Sequence, residues 1–264
     1  LKELNEDTGR VHGYVNPNGA VTGRMTHSHP NMAQIPSSSS PYGKECRSCW
    51  IVPENYKLVG IDASGLELRM LAHYLDDEGY TNEILNGDIH TANQKLAGLQ
   101  SRDQAKTFIY ALLYGAGDAK LGTVAGRGRE AGKRLRQSFF DNLPSFKTLT
   151  GRVQREAAEG YVKGLDGRKL TVRSAHAALN TLLQGAGAII MKQAMILLDG
   201  KLKYLDAKFV ANVHDEWQIE CHESVADQVG KLGVEAIIEA GKLLNLNCPL
   251  DGDYKVGENW SETH

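Results

Sequence analysis

Lys57-Leu58-Val59-Gly60-Ile61-Asp62-Ala63-Ser64-Gly65-Leu66-Glu67-Leu68-Arg69-Met70-Leu71 changes its period halfway along. Lys57 to Ile61 is a short apolar run, the pattern of a buried strand, and it ends on Asp62. Gly65 breaks the pattern. Beyond it Leu66, Met70, Leu71 and Tyr74 fall at helical spacing. An acid at the end of a buried strand is held by rigid backbone yet faces open space. That setting suits a hard, oxygen-seeking cation. On spacing alone it suits a turn or cap residue equally well.

A second acid has a similar setting. Phe209 to Val213 and Glu216 to Cys221 are β-prone and flank His214-Asp215, which predicts a tight hairpin with Asp215 at its tip. Two such acids can clamp a pair of magnesium ions about 3.5–4 Å apart. Between them lies a strong helix signal. Ser101 with Gln104 three residues on reads as a capping box. Phe108, Ile109, Leu112 and Leu113 supply the apolar stripe, and Gly115 and Gly117 end it. Arg102, Lys106, Tyr110 and Tyr114 recur at four-residue intervals along one face. A guanidinium and an ammonium one turn apart suit a polyphosphate, and an aromatic one turn further can pack on a sugar or base. The same pattern also describes an exposed basic edge beside core tyrosines.

The remaining elements are plainer. Val11–Val15 and Ala20–Arg24 around Asn16-Pro17-Asn18-Gly19 predict a hairpin, and Ser37-Ser38-Ser39-Ser40-Pro41 a surface loop. Helices are predicted over Arg129–Asn142, stopping before Pro144, then Asn180–Leu198 and Val225–Leu244. Strands and helices mix as α+β, without internal repeats. With 264 residues, 41% of them hydrophobic, the chain allows one large core or two modest domains. The net charge of -2 selects no partner class. Local basic clusters, Arg127 to Arg136 and Lys163 to Arg173, fit solvated faces or nucleic-acid contacts. Cys46-x-x-Cys49 lacks a second ligand pair, since Cys221 and Cys248 stand alone, so coincidence and reduced cytosolic thiols are the reading. No apolar run approaches membrane length and no export signal opens the chain, so no membrane is expected.

Three ordered segments now resemble one family. Asp62-Ala63-Ser64-Gly65-Leu66-Glu67-Leu68-Arg69 is similar to motif A of family A DNA polymerases. Arg102-x-x-x-Lys106-x-x-x-Tyr110-x-x-x-Tyr114-Gly115 is similar to motif B, and Val213-His214-Asp215-Glu216 to motif C. Gly87-Asp88-Ile89-His90-Thr91, Gly164-Leu165-Asp166-Gly167-Arg168-Lys169 and Ala177-Ala178-Leu179-Asn180-Thr181-Leu182-Leu183-Gln184 resemble the branch found in short-tailed phages. The resemblance spans almost the whole chain.

It implies a palm of antiparallel sheet and helices with helical fingers. The expected boundaries are 1–76 for the first part of the palm, 77–180 for the fingers and 181–264 for the rest of the palm. The implied activity is template-directed transfer of deoxynucleotides onto a primer 3′-hydroxyl in phage DNA replication. Two Mg2+ ions, replaceable by Mn2+, would be held by Asp62, Asp215 and the carbonyl of Ala63, with Glu216 assisting. Arg102 and Lys106 would clamp the triphosphate with His90. Tyr110 would lie against the incoming sugar, Glu67 would crowd a ribose 2′-hydroxyl, and Tyr114 would stack beside the template. Arg24 and Gln184 would reach minor-groove acceptors that every correct pair presents, with Asn180, His176 and His214 nearby on DNA. Gly257 to His264 resembles a family C-terminus, which would bring His264 near the active site. Partners would be primer-template DNA and deoxynucleoside triphosphates, in the cytoplasm of a bacterial host. A thumb and exonuclease portion, expected ahead of Leu1 in the family, would be absent here and supplied elsewhere. A metal-dependent phosphohydrolase using His214, Asp215, Asp62 and His90 is one alternative, but it gives Arg102, Lys106 and Tyr110 no work. An inactive DNA-binding polymerase subunit is another, yet neither aspartate nor the clamp lysine is lost.

Overall fold

The structure, a computed structural model, describes residues 3–264. The chain opens with β1 (Leu4–Asn5), β2 (Arg10–Val11), β3 (Tyr14–Asn16), β4 (Thr26–Ser28), α1 (Gly43–Ser48) and β5 (Tyr56–Ala63). Helices follow: α2 (Leu66–Leu75), α3 (Glu78–Leu85), α4 (Ile89–Ala97), α5 (Arg102–Leu113), α6 (Asp118–Val124), α7 (Arg129–Asn142) and α8 (Pro144–Ala158). A small ribbon, β6 (Tyr161–Lys163) and β7 (Lys169–Thr171), leads into the long α9 (Ala178–Leu202). The chain closes with β8 (Ala207–Val213), β9 (Glu216–His222), α10 (Ala226–Leu243) and β10 (Gly252–Gly257). Two compact units result, one from the described residues up to Leu66 with Gly187–His264, the other Glu67–Ala186. The mixture is α+β.

The first unit is built on an antiparallel sheet in the order β10-β5-β9-β8. β5 lies inside it, so Val59 and Ile61 are fully buried, and a continuous apolar run was the right sequence signal for such a strand. α10 covers one face. It can lie close because Gly230 and Gly233 face the sheet; a Cβ at Gly233 would run into Ile61, and one at Gly230 into the ring of Tyr254. Beside the sheet, Trp260 is buried under the guanidinium of Arg47, 4.5 Å from its ring centre.

The second unit has an aromatic core. Phe139 meets Phe108 at 5.9 Å and Phe146 at 5.1 Å between ring centres, both edge to face. α5 turns Ala105, Phe108, Ile109, Leu112 and Leu113 inward.

Two local expectations are corrected and a third is extended. The first hairpin pairs Tyr14–Asn16 with Thr26–Ser28, leaving Ala20–Arg24 outside any strand. Gly23, at φ +80°, donates its N–H to Ala20 O at 2.9 Å and closes a turn where the second strand was predicted. The region Ala175–Leu202 is also long and apolar enough to cross a membrane by length and composition, though 56% of its apolar window is buried, as in a core helix. Pro144, read as a stop, also starts α8 at its first turn, where its missing N–H costs nothing.

Candidate active site

In the first unit the sheet register gathers acids. Asp62 lies opposite Glu216 on β9 and Asp253 on β10. β8 and β9 are joined by His214 and Asp215 alone, with Val213 paired to Glu216. So short a connection needs a left-handed residue; His214 supplies it at φ 59°, a conformation that costs an L-residue about 1 kcal/mol. The N–H of Ala63 donates to Asp215 O at 3.1 Å, which ties the hairpin tip to the end of β5.

The charges register this crowding. Burial first, then Asp215 and Glu216, push the Asp62 carboxyl up to about 7; His264 opposes the shift. Glu216 behaves differently. Burial alone would raise it, but bonds from His264, Gln218 (Nε2 to Oε1, 2.6 Å) and Trp260 (Nε1 to Oε1, 2.7 Å) outweigh that and hold it below its usual range. Both oxygens of Glu216 therefore anchor the C-terminal segment. Nearby, burial and then Arg24 lower His214, and both residues line one small cleft with Asn212 and Lys192.

Among the described residues no three His, Cys, Asp or Glu side chains form a metal cage. Two converging carboxylates still fit magnesium, which takes one or two from the protein and fills its octahedron with water and phosphate oxygens. Burial is the largest cause of the raised Asp62, and a cation there would relieve the further part that comes from Asp215 and Glu216.

The second unit carries a cluster of opposite sign. Ser101 caps α5 by accepting from Gln104 N at 3.2 Å, while Gln104 Oε1 accepts from Gln100 N at 3.2 Å rather than from the cap itself. Arg102 and Lys106 are exposed along the flank of the buried stripe, and Tyr110 is half-buried. His90, in the first turn of α4, lies 6.5 Å from the Tyr110 ring. Burial, then Arg102 and Lys106, lower its pKa, so all four side chains share one neighbourhood. Tyr114 donates to Glu67 Oε2 at a long 3.4 Å. Past α5, Gly115 at φ +76° passes so close to His176 O that a Cβ would collide with it. Asn180 and Gln184 are half-buried one turn apart on α9.

Other sequence candidates have structural partners. Arg136 donates to Asp118 at 2.8 Å and to Ala116 O at 2.6 Å. Arg168 pairs with Asp166 at 2.6 Å. Cys46 and Cys49 are free thiols.

The profile of DNA polymerase family A matches residues 1–262. The chain is 46% identical over its whole length to the DNA-directed DNA polymerases of Enterobacteria phage T3 and Escherichia phage T7. It spans 42% of the length of each. Among solved structures, the POL domain of Pol1 from M. smegmatis, in complex with DNA primer-template and dNTP, matches with a TM-score of 0.89 at 26% identity. That match covers 99% of this chain and 50% of the other. Sequence, fold and the order of the acidic and basic segments place the chain in DNA polymerase family A.

Proposed function

We propose that this chain carries the catalytic palm and fingers of a template-directed DNA polymerase, with the first unit as palm and the second as fingers. The observation that carries the reading is the convergence of Asp62 and Asp215, brought about by the register of β5 with β9 and the short β8–β9 turn. In this reading Asp62, Asp215 and the carbonyl of Ala63 hold two Mg2+ ions, which Mn2+ can replace. When bound, the ions supply a lowered pKa at the primer 3′-hydroxyl and charge neutralisation at the leaving pyrophosphate.

The chain's own residues do the rest. Arg102 binds phosphate oxygens through a planar fork and Lys106 as a point charge. His90, its pKa lowered by burial and then by the same cations, donates or accepts a hydrogen bond. Tyr110 presents its ring to the sugar. Glu67, which accepts from Tyr114, crowds the place a ribose 2′-hydroxyl would take. Arg24, Gln184, Asn180, His176 and His214 contact the primer-template. Glu216 steadies the palm through Trp260 and His264. The setting is phage DNA replication in a bacterial cytoplasm, with a thumb-bearing portion gripping the duplex.

Three measurements follow from these assignments. In primer extension with Mg2+ and deoxynucleotides, with and without an added thumb-bearing portion, Asp62→Ala and Asp215→Ala should each abolish product while circular dichroism stays unchanged; near-normal extension by either removes the two-metal assignment. Tyr110→Phe should lower the ratio of dideoxy to deoxynucleotide incorporation at least tenfold, about 1.4 kcal/mol of discrimination; an unchanged ratio would count against Tyr110 as the sugar contact. The third reads pH. Without divalent cations, folded Asp62 titrates near 7 against an ordinary 3.8, so between those values the folded protein holds the extra proton and loses stability as pH rises. Asp62→Asn should thus be more stable than the parent at pH 8, by about 1 kcal/mol after solvent screening, and equal to it near pH 4. A difference that grows on acidification would contradict the crowding of acids.

A further inference from the structure

The loop Gly87–Thr91 contains an acid that the proposed reaction leaves without a role. Asp88 is the N-cap of α4: its Oδ1 accepts from His90 N at 3.0 Å and Thr91 N at 3.4 Å. Its Oδ2 accepts from Thr91 Oγ1 at 2.9 Å and from Arg102 Nε at 2.6 Å. A carboxylate has about four acceptor positions, and all four are in use. One side chain therefore links the start of α4, which carries His90, to the start of α5, which carries Arg102.

The link is hard to explain as a source of stability. Both partners are exposed, Arg102 by 52% and Asp88 by 41%, and exposed pairs stabilise little. It is also hard to explain by charge, because an acid beside a triphosphate site repels the ligand. What the contact does fix is orientation. A guanidinium has two hydrogen-bonding edges, and Asp88 takes the Nε side. Neither terminal nitrogen of Arg102 is bonded to protein among the described residues.

We propose that Asp88 is a positioning residue for nucleotide binding: it holds the Arg102 guanidinium by Nε so that the two terminal nitrogens face the phosphates. This rests on Arg102 being part of the triphosphate clamp. Asp88→Asn separates the roles, because asparagine caps a helix about as well as aspartate but offers no charge to Arg102.

The test is equilibrium binding of dATP with Mg2+ to the chain carrying a dideoxy-terminated primer-template, by calorimetry. Asp88→Asn should weaken binding about fivefold, the size of one oriented ion pair. In an Arg102→Ala background the same substitution should change nothing. Unchanged or tighter binding by Asp88→Asn, or an equal loss without Arg102, overturns the proposal while leaving the clamp intact. Arg102→Ala binding as well as the parent would instead remove the clamp, and this proposal with it.

Discussion

A single backbone hydrogen bond, Ala63 N–H to Asp215 O, holds together the two acid-bearing segments of the first unit. It lies where the β5–β9 register runs out and joins the tip of a two-residue hairpin to the end of a buried strand. A slip of one residue would turn every side chain of β5 to the opposite face. Asp62 would then exchange places with Ile61, which is fully buried. The apolar face of β5 under α10, with Gly233 admitting Ile61, therefore fixes the register that presents Asp62. The core and the site are specified by the same strand.

That arrangement has an electrostatic cost. Asp62, Asp215 and Glu216 lie near one another, and among the described residues His264, Gln218 and Trp260 donate to Glu216. In the proposed reading the other two acids are the ones a divalent cation would complete. Sites of this kind trade stability for pre-organisation. The basic cluster of the second unit has the same logic with the sign reversed: burial, then Arg102 and Lys106, depress His90, and Asp88 accepts from Arg102. Each unit, taken by itself, gathers charge of one sign: acids in the first and bases in the second.

Much of this was legible in the sequence, because local signals agreed with the fold. The change of period at Gly65, the Ser101 cap, the stripe on α5 and the turn at His214-Asp215 are short-range features, and the structure follows them closely. Helix α7 ends where Pro144 predicts. The rest was hidden for two reasons. Short helices such as α3 and α6 offer too few periodic positions to register, and Ala20–Arg24 looks extended until Gly23 closes a turn inside it. Long-range wiring leaves no local trace at all. Trp260 and His264 meet Glu216 from more than 40 residues away, and Tyr114 meets Glu67 across 47. Asp88 was visible as part of a motif, but its hold on Arg102 depends on how two helix starts pack.

The paired-acid site is tested most directly by counting Mn2+ ions by electron paramagnetic resonance. The sample is the chain with a dideoxy-terminated primer-template and an incoming nucleotide. Two ions per complex are expected, falling to no more than the nucleotide's own ion when Asp62 and Asp215 are both replaced by asparagine. Two ions retained in the double variant would contradict the assignment of these acids as the metal ligands.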